Sequence, residues 1–239
     1  MATEPNSLHR TRRQFLTLAA LPLGALVLPG CTTTGATPPA TAPTVDPPID
    51  PNYRSMYRAM PEERFPIPAV DLRKIEPRFY RQVVRDPTGE RPGTVVVDTD
   101  NYFLYLVREN GEALRYGVGL GRQGFTWSGK GVIQWKRPWP TWTPPAEMIR
   151  RQPELERFSA ENGGQAPGLS NPLGARALYI FQDGLDTLYR LHGTPEVWTI
   201  GKAVSSGCVR LLNQDIIDLY ARVLTPSPIL VRGGLVASA

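Results

Sequence analysis

The chain has 239 residues, 41% of them hydrophobic, and a formal net charge of +5 from 27 basic and 22 acidic side chains. This is the composition of one globular domain with extensions, and two cysteines are too few for a disulfide scaffold. No basic stripe interleaved with aromatic residues is present, so we predict no nucleic-acid partner. The 25 prolines indicate a linker.

Residues 1–31 have the pattern of an export signal. Arg12 and Arg13 precede an apolar run that is too short, and too broken by proline and glycine, to span a bilayer as a helix. The stretch "TRRQFL" resembles a twin-arginine signal, and "LVLPGC" resembles the box at which bacterial lipoproteins are cleaved and lipidated. We therefore expect an exported, periplasmic protein. It is either anchored to the membrane by a lipid on Cys31 or cleaved further along, for instance after "ATA" at 40–42.

Residues 32–68 are rich in threonine, alanine and proline, as in "TTTGATPPATAPTVDPPIDP". A segment of this kind buries too little apolar surface to offset its ordering entropy, and it favours extended polyproline geometry. We predict a linker here. Residues 69–91 follow as a lead-in segment that either forms a lid or simply leads into the next domain.

Short strands are predicted from about residue 92 onward. The runs "TVVVD" and "YFLYLV" are β-branched and aromatic, and Asn110-Gly111 before "LRYGVG" is typical of a hairpin. A second hairpin is predicted from "ALYIF" and "TLYRLH" around the turn 182–184, and "PILVR" is the last strand candidate. Helices are predicted for "PAEMIRRQ" and for "NQDIIDLYARV", where Asn213 is expected to cap. The fold class is therefore mostly β, a sandwich or barrel-like domain with a few short helices.

Beyond the predicted signal, the chain has one cysteine, Cys208, and one histidine, His192. A zinc site requires three or four nitrogen or sulfur ligands, so we predict no metal and no cofactor. A disulfide requires a second thiol, so we predict none within one mature chain unless Cys31 is retained. What remains is nucleophilic catalysis, in which an imidazole takes the proton of the thiol. The backbone N–H groups at Ser206, Gly207 and Cys208 are suited to an oxyanion hole. The alternative is a buried structural cysteine and a structural histidine.

The stretch "HGTPEVWTIGKAVSSGCVRL" resembles the signature of the L,D-transpeptidase (YkuD) catalytic domain. In that pattern His-Gly-Thr is followed, after a gap, by Ser/Thr-His-Gly-Cys, an apolar residue, and Arg or Asn. Ser205, Gly207, Cys208 and Arg210 match it. Ser206 departs from it, because the family usually has a histidine there.

The resemblance covers residues 92–233 and implies a β-rich, exported peptidoglycan enzyme. It implies that Cys208 attacks the amide after the third residue of a tetrapeptide stem, releases D-alanine and forms a thioester. An amine on a second stem then resolves the thioester into a 3→3 cross-link. His192 is the sole imidazole available as the base, since position 206 is serine.

Several further side chains are candidates for contact with the substrate. Arg210 lies two residues from the nucleophile, where a guanidinium binds a stem carboxylate bidentately, or else pairs with Asp215 in a structural role. Gly193, Ser205 and Tyr179 are further candidates, although a core or surface role suits Tyr179 equally well. Four of the five tryptophans fall between residues 127 and 142, where they form either an aromatic flap or part of the core.

Other outcomes share the same acyl-enzyme. Water as the acceptor gives an L,D-carboxypeptidase, and a protein amine gives attachment of an outer-membrane protein to the wall. A papain-like or NlpC/P60-type peptidase is disfavoured because the cysteine precedes the histidine in those enzymes. A non-catalytic wall-binding lipoprotein is the alternative from a different class, with Ser206 as its clue.

Overall fold

The computed structural model describes residues 49–121, 127–205 and 208–232. Strands outnumber helices in these ranges, which confirms the predicted mostly-β class. In chain order the helices and strands are α1 (Pro51–Met56), β1 (Gln82–Arg85), β2 (Val95–Asp98), β3 (Phe103–Val107), β4 (Glu112–Gly117), β5 (Leu120–Gly121), β6 (Gly129–Pro138), α2 (Ala146–Arg151), β7 (Arg176–Gln182), β8 (Leu185–Thr194), β9 (Ala203–Ser205), β10 (Val209–Leu212), α3 (Asn213–Arg222) and β11 (Ser227–Arg232).

The described strands form one nine-stranded mixed sheet and one small sheet. The large sheet has the order β1-β4-β3-β2-β11-β6-β7-β8-β10, and β5 pairs with β9. Most neighbours are antiparallel, but β2 pairs with β11 and β8 pairs with β10 in parallel. The last strand in sequence, β11, therefore lies in the middle of the sheet and joins its two halves.

Both predicted hairpins are confirmed. Asn110 and Gly111 link β3 to β4 with φ values of 61° and 70°, the left-handed backbone that an Asn-Gly turn favours. Asp183 and Gly184 link β7 to β8 with φ values of 50° and 79°. The antiparallel pairing of β7 with β8 places the strand that carries His192 next to the last strand of the sheet, β10.

The sheet is covered on both faces, because successive side chains of a strand point to opposite sides. On β2, Val95 and Val97 pack in one apolar cluster with residues of α3, including Ile216 and Leu219. Val96 packs in a second cluster on the other side. The chain upstream of β2 supplies much of that second cluster: Tyr57, Leu72, Ile75, Phe79 and Tyr80.

Residues 49–68 differ from the predicted linker. Asp50 caps α1 by accepting a hydrogen bond from the Asn52 N–H at 2.8 Å, and Tyr57 is 1% exposed. Prolines do punctuate this segment, but its aromatic and apolar side chains bury enough surface to hold it on the domain. An extended spacer is therefore the wrong description of residues 49–68.

The predicted export signal, Cys31 and linker residues 32–48 lie outside the described residues. Across 49–121, 127–205 and 208–232, none of the helices combines the length and the apolar character that a membrane crossing requires.

Candidate active site

His192 lies near the end of β8, between two neighbouring strands. It pairs in register with Ala177 of β7 and with Arg210 of β10. The imidazole is 4% exposed, because the sheet and the chain packed on it enclose this end of the strand. Its register partners place Arg210 on the same face of the sheet as the imidazole.

The hydrogen bonding of His192 determines which nitrogen can act as a base. Nδ1 lies 2.7 Å from the main-chain oxygen of Gly193, so Nδ1–H donates to that carbonyl and Nε2 carries the lone pair. Burial lowers the pKa of His192 to about 4, against the raising effect of the Gly193 carbonyl, and the positive charges of Arg210 and Arg190 lower it further. The ring is therefore neutral at pH 7 and able to accept a proton at Nε2.

Cys208 is half-buried and stands directly before β10. Because Val209 pairs with Leu191, the register brings Cys208 beside Arg190 on β8, and its sulfur accepts a hydrogen bond from the Arg190 main-chain N–H. Burial raises the pKa of the Cys208 thiol, while that N–H and the charges of Arg190 and Arg210 act in the opposite direction. The resting state of the site is therefore a neutral thiol and a neutral imidazole.

Arg210 pairs with a different acid from the one considered in the sequence. Its Nη1 lies 2.6 Å from Oε2 of Glu196, which is 44% exposed. Asp215 is instead buried on α3, where it accepts a hydrogen bond from the Tyr57 hydroxyl at 3.2 Å. Pairing of Arg210 with Asp215 is therefore wrong, and the carboxylate next to Arg210 is one that solvent and solutes can reach.

Gly193 and Asn213 meet at the base of the site. A Cβ at Gly193 would collide with Oδ1 of Asn213, so the close approach of α3 to β8 requires glycine there. Asn213 does not cap its helix as predicted. It is the first residue of α3, and its Oδ1 accepts a hydrogen bond from the Ala175 N–H at 2.9 Å. The Asn213 side-chain oxygen, which would otherwise cap the helix, accepts instead from the buried Ala175 N–H.

Tyr179 lies on the same face of the sheet as His192. It pairs with Arg190, which precedes His192 by two residues on β8. Its ring stacks on Trp135 with centroids 3.6 Å apart and planes at 9°, and the Arg190 guanidinium lies 4.3 Å from its centroid. Trp139 is buried, as a core role requires, whereas Trp135 is 36% exposed. The aromatic flap stays a prediction.

The proposed oxyanion residues Ser206 and Gly207 lie outside the described residues, as does the Ser205 side chain. The main chain of Ser205 ends β9, where it pairs with Gly121. Within the described ranges, three or more histidine, cysteine, aspartate or glutamate side chains do not come together in a group that would hold a metal ion.

Two residues near the site were missed by sequence reasoning. Arg190 and Asn213 act through the register of β8 with β10 and through the packing of α3, neither of which a motif reveals. The period-two spacing of Arg190 and His192 on one predicted strand was the available signal for Arg190.

Residues 92–231 match the family model described as the L,D-transpeptidase catalytic domain, YkuD. The chain is 32% identical over 142 residues to the probable L,D-transpeptidase YbiS of Escherichia coli K12. That alignment covers 57% of this chain and 43% of the relative. It is 33% identical over 141 residues to the probable L,D-transpeptidase YcfS of the same strain, covering 57% and 42%.

A solved structure described as a probable carnitine operon oxidoreductase from Brucella melitensis is 46% identical, with a TM-score of 0.46, covering 64% of this chain and 94% of that one. That description belongs to the Brucella protein. The chain spans less than half the length of the two Escherichia coli relatives. The family match covers more than half of this chain and includes both His192 and Cys208. The chain belongs to the L,D-transpeptidase catalytic-domain (YkuD) family.

Proposed function

We propose that this protein is a peptidoglycan L,D-transpeptidase that forms 3→3 cross-links through a thioester on Cys208. The observation that carries the proposal is the state of His192. Its ring is buried and neutral, Nδ1 is tied to Gly193, and the adjacent strand begins directly after Cys208. A base in this state takes a thiol proton without first losing one of its own.

The acylation step uses the two neutral groups in sequence. The Cys208 sulfur attacks the carbonyl carbon of the third stem residue while its proton passes to Nε2 of His192. The bond from that carbon to the nitrogen of D-alanine then breaks, and the imidazolium returns the proton to the leaving amine. A histidine with a lowered pKa is a strong acid once protonated, so the surroundings that keep His192 neutral also favour this return.

The second half repeats the chemistry in reverse. An amine on a second stem attacks the thioester, gives up a proton to His192, and the thiol recovers it as the new amide forms. With water or a protein amine in place of the stem amine, the same acyl-enzyme leads to a carboxypeptidase or to attachment of an outer-membrane protein.

Substrate contacts are proposed for the side chains near the pair. Arg210 binds a stem carboxylate by exchanging Glu196 for it, which the exposure of Glu196 supports. The main-chain N–H groups at Ser206, Gly207 and Cys208 bind the oxyanion. Ser205, Gly193 and Tyr179 complete the candidate set.

The proposed setting follows from the predicted signal. A twin-arginine signal delivers the folded chain to the periplasm, and a lipid on Cys31 anchors it there. Stem peptides of the wall are then the donor and the acceptor.

Intact-mass spectrometry of the purified protein tests the proposal. A carbapenem should add its mass to the wild type and not to Cys208→Ala, and His192→Ala should slow the addition strongly. With disaccharide-tetrapeptide, the expected product is a dimer that lacks one D-alanine. If tripeptide is the only product, the reaction is hydrolysis, or the natural acceptor is a protein amine that is absent from the assay. If the folded protein gives neither an adduct nor turnover, the proposed enzymatic activity is overturned and a wall-binding role is favoured.

A further inference from the structure

We propose that Arg190 is a positioning residue of this reaction, clamped by Asp186 across a bulge in β8 so that its main-chain amide and guanidinium hold and stabilise the Cys208 sulfur. The inference rests on the proposed function, because it assigns a task within the acylation step. The main-chain N–H of Arg190 donates to the Cys208 sulfur, and the Arg190 side chain acts by holding that N–H in place and by its charge.

The bulge is visible in the pairing of β7 with β8. Tyr179 pairs with Arg190, but Phe181 pairs with Asp186, so the single residue between them on β7 faces three residues, 187–189, on β8. Leu188 lies within the excess with a left-handed φ of 62°. Bulges of this kind leave residues unpaired and redirect the strand beyond them. Regular pairing resumes at Arg190, which is the residue whose N–H reaches Cys208.

The side chain of Arg190 spans that bulge. Its Nη1 and Nη2 lie 2.7 and 2.8 Å from the two carboxylate oxygens of Asp186, a bidentate pair that closes the excess residues into a loop. Nη1 also donates to the main-chain oxygen of Tyr189 at 2.9 Å. The clamp therefore fixes both ends of the irregular stretch.

Aromatic stacking holds the guanidinium from another side. It lies 4.3 Å from the centroid of Tyr179, which in turn stacks on Trp135. The Arg190 side chain is only 13% exposed as a result. A long side chain held in one geometry by the fold gives up no further entropy when the reaction begins.

A fixed Arg190 affects the reaction because its main-chain N–H lies beside the Cys208 sulfur. As Cys208 attacks, negative charge develops on sulfur before the new bond forms, and a donor already aimed at that sulfur stabilises it without reorganisation. The charged and titratable groups that act on the thiol and the imidazole are Arg190, Arg210 and Tyr189. Asp186 offsets part of the Arg190 charge, so the fixed amide carries much of the effect.

The test compares variants of the clamp with a matched pair elsewhere. Arg190→Gln removes the clamp and the charge, and Asp186→Asn removes the clamp but keeps the guanidinium. Arg222→Gln is the control, since Arg222 makes the same bidentate, four-residue pair with Asp218 on α3. Carbapenem acylation should slow by up to about 100-fold in Arg190→Gln, because the main-chain N–H remains but is no longer held by the clamp and the charge is lost. It should also slow clearly in Asp186→Asn, which loses the clamp alone. Arg222→Gln should acylate as the wild type does.

Iodoacetamide alkylation of Cys208 across pH separates this inference from the proposed function. Its midpoint should move to higher pH in Arg190→Gln, which loses both the guanidinium charge and the clamp. In Asp186→Asn the midpoint should change in a different way, because the guanidinium stays and loses the carboxylate that offsets its charge. Melting temperatures show that both variants are folded. Arg190→Lys, which restores charge without the planar fork, should recover only part of the rate. Unchanged acylation and unchanged alkylation profiles in both clamp variants would overturn the inference. A different result would overturn the proposed transpeptidase and still support the clamp. In that case the alkylation profiles shift in the variants as expected, but the wild type is never acylated by the carbapenem.

Discussion

His192 decides the pH range in which this site works. Its pKa lies at about 4 because burial disfavours the charged ring and two arginines add to that effect. An exposed histidine, with a pKa of about 6.5, would be largely protonated at about pH 5.5. The buried ring keeps its Nε2 lone pair there.

The acylation rate should therefore have an unusual acid limb. We expect the rate of carbapenem addition to stay level as the pH falls from 7 to about 5.5 and to drop with a midpoint near 4. The measurement is the rate of adduct formation by mass spectrometry in a series of buffers. A midpoint near 6.5 would mean that the imidazole is not held neutral by its surroundings.

Folding must be followed in the same buffers. A histidine with a lowered pKa in the folded state is protonated first in the unfolded chain, so stability falls as the pH drops from about 6.5 through about 4. Far-UV circular dichroism at each pH separates loss of the base from loss of the fold.

At this scale the sequence predicts chemistry better than it predicts contacts. Cys208 and His192 are singled out because each is the sole residue of its type beyond the signal, and spacing to a known signature supports Arg210. Spacing says nothing about the acid that pairs with Arg210, since Glu196 reaches it through the loop after β8. Asn213 likewise looks like a helix cap until the Ala175 amide is placed beside it.

Among the elements, the segment over residues 49–91 differs most from expectation. Composition predicts a linker over residues 32–68, because threonine, alanine and proline are frequent there, followed by a lead-in over 69–91. What composition misses is the pairing of single side chains with distant ones. Glu63 makes a bidentate ion pair with Arg176 at the start of β7, with distances of 2.6 and 3.0 Å. Its Oε2 also accepts from Trp139 Nε1 at 2.9 Å.

Glu63→Gln should destabilise the protein by about 2 kcal/mol, because it removes the charged partner of a partly buried Arg176 and weakens charge-assisted hydrogen bonds. Burial alone would raise the pKa of Glu63, but the hydrogen bonds from Arg176 and Trp139 outweigh it and lower that pKa. The carboxylate is therefore charged at neutral pH and its loss is felt. Urea unfolding monitored by tryptophan fluorescence gives the change.

Glu62→Gln is the matched control for that variant. Glu62 pairs with Arg58 at 3.5 Å, and both side chains are more than half exposed, so we expect a change of about 0.5 kcal/mol or less. Equal changes in the two variants would show that the Glu63 pair does not fasten the segment.

In the whole molecule, the second apolar cluster ties residues 49–91 to the sheet. The family match begins at residue 92, yet Tyr57, Phe79 and Tyr80 from upstream are buried against β2 and β3. Burial of a large apolar side chain contributes about 1.5–3 kcal/mol, so several together rival the net stability of a domain, about 5–15 kcal/mol.

A chain that begins at residue 92 should therefore fail to fold stably, whereas one that begins at residue 49 should unfold cooperatively. Thermal melts by circular dichroism and binding of a dye for exposed apolar surface compare the two. A sharp melt for residues 92–239, at a temperature close to that of residues 49–239, would mean that the upstream segment packs on the domain without contributing to its stability.

The central position of β11 has a consequence for the order in which the chain acquires its fold. Residues 82–117 form one half of the sheet and residues 129–212 form the other, and β11 contacts both through β2 and β6. The facing edges of the two half-sheets, on β2 and β6, stay unpaired until β11 is available to lie between them. Completion of the sheet then depends on contacts between distant parts of the chain, which makes it slow. Until that point the edges of β2 and β6 are open to pairing with other chains.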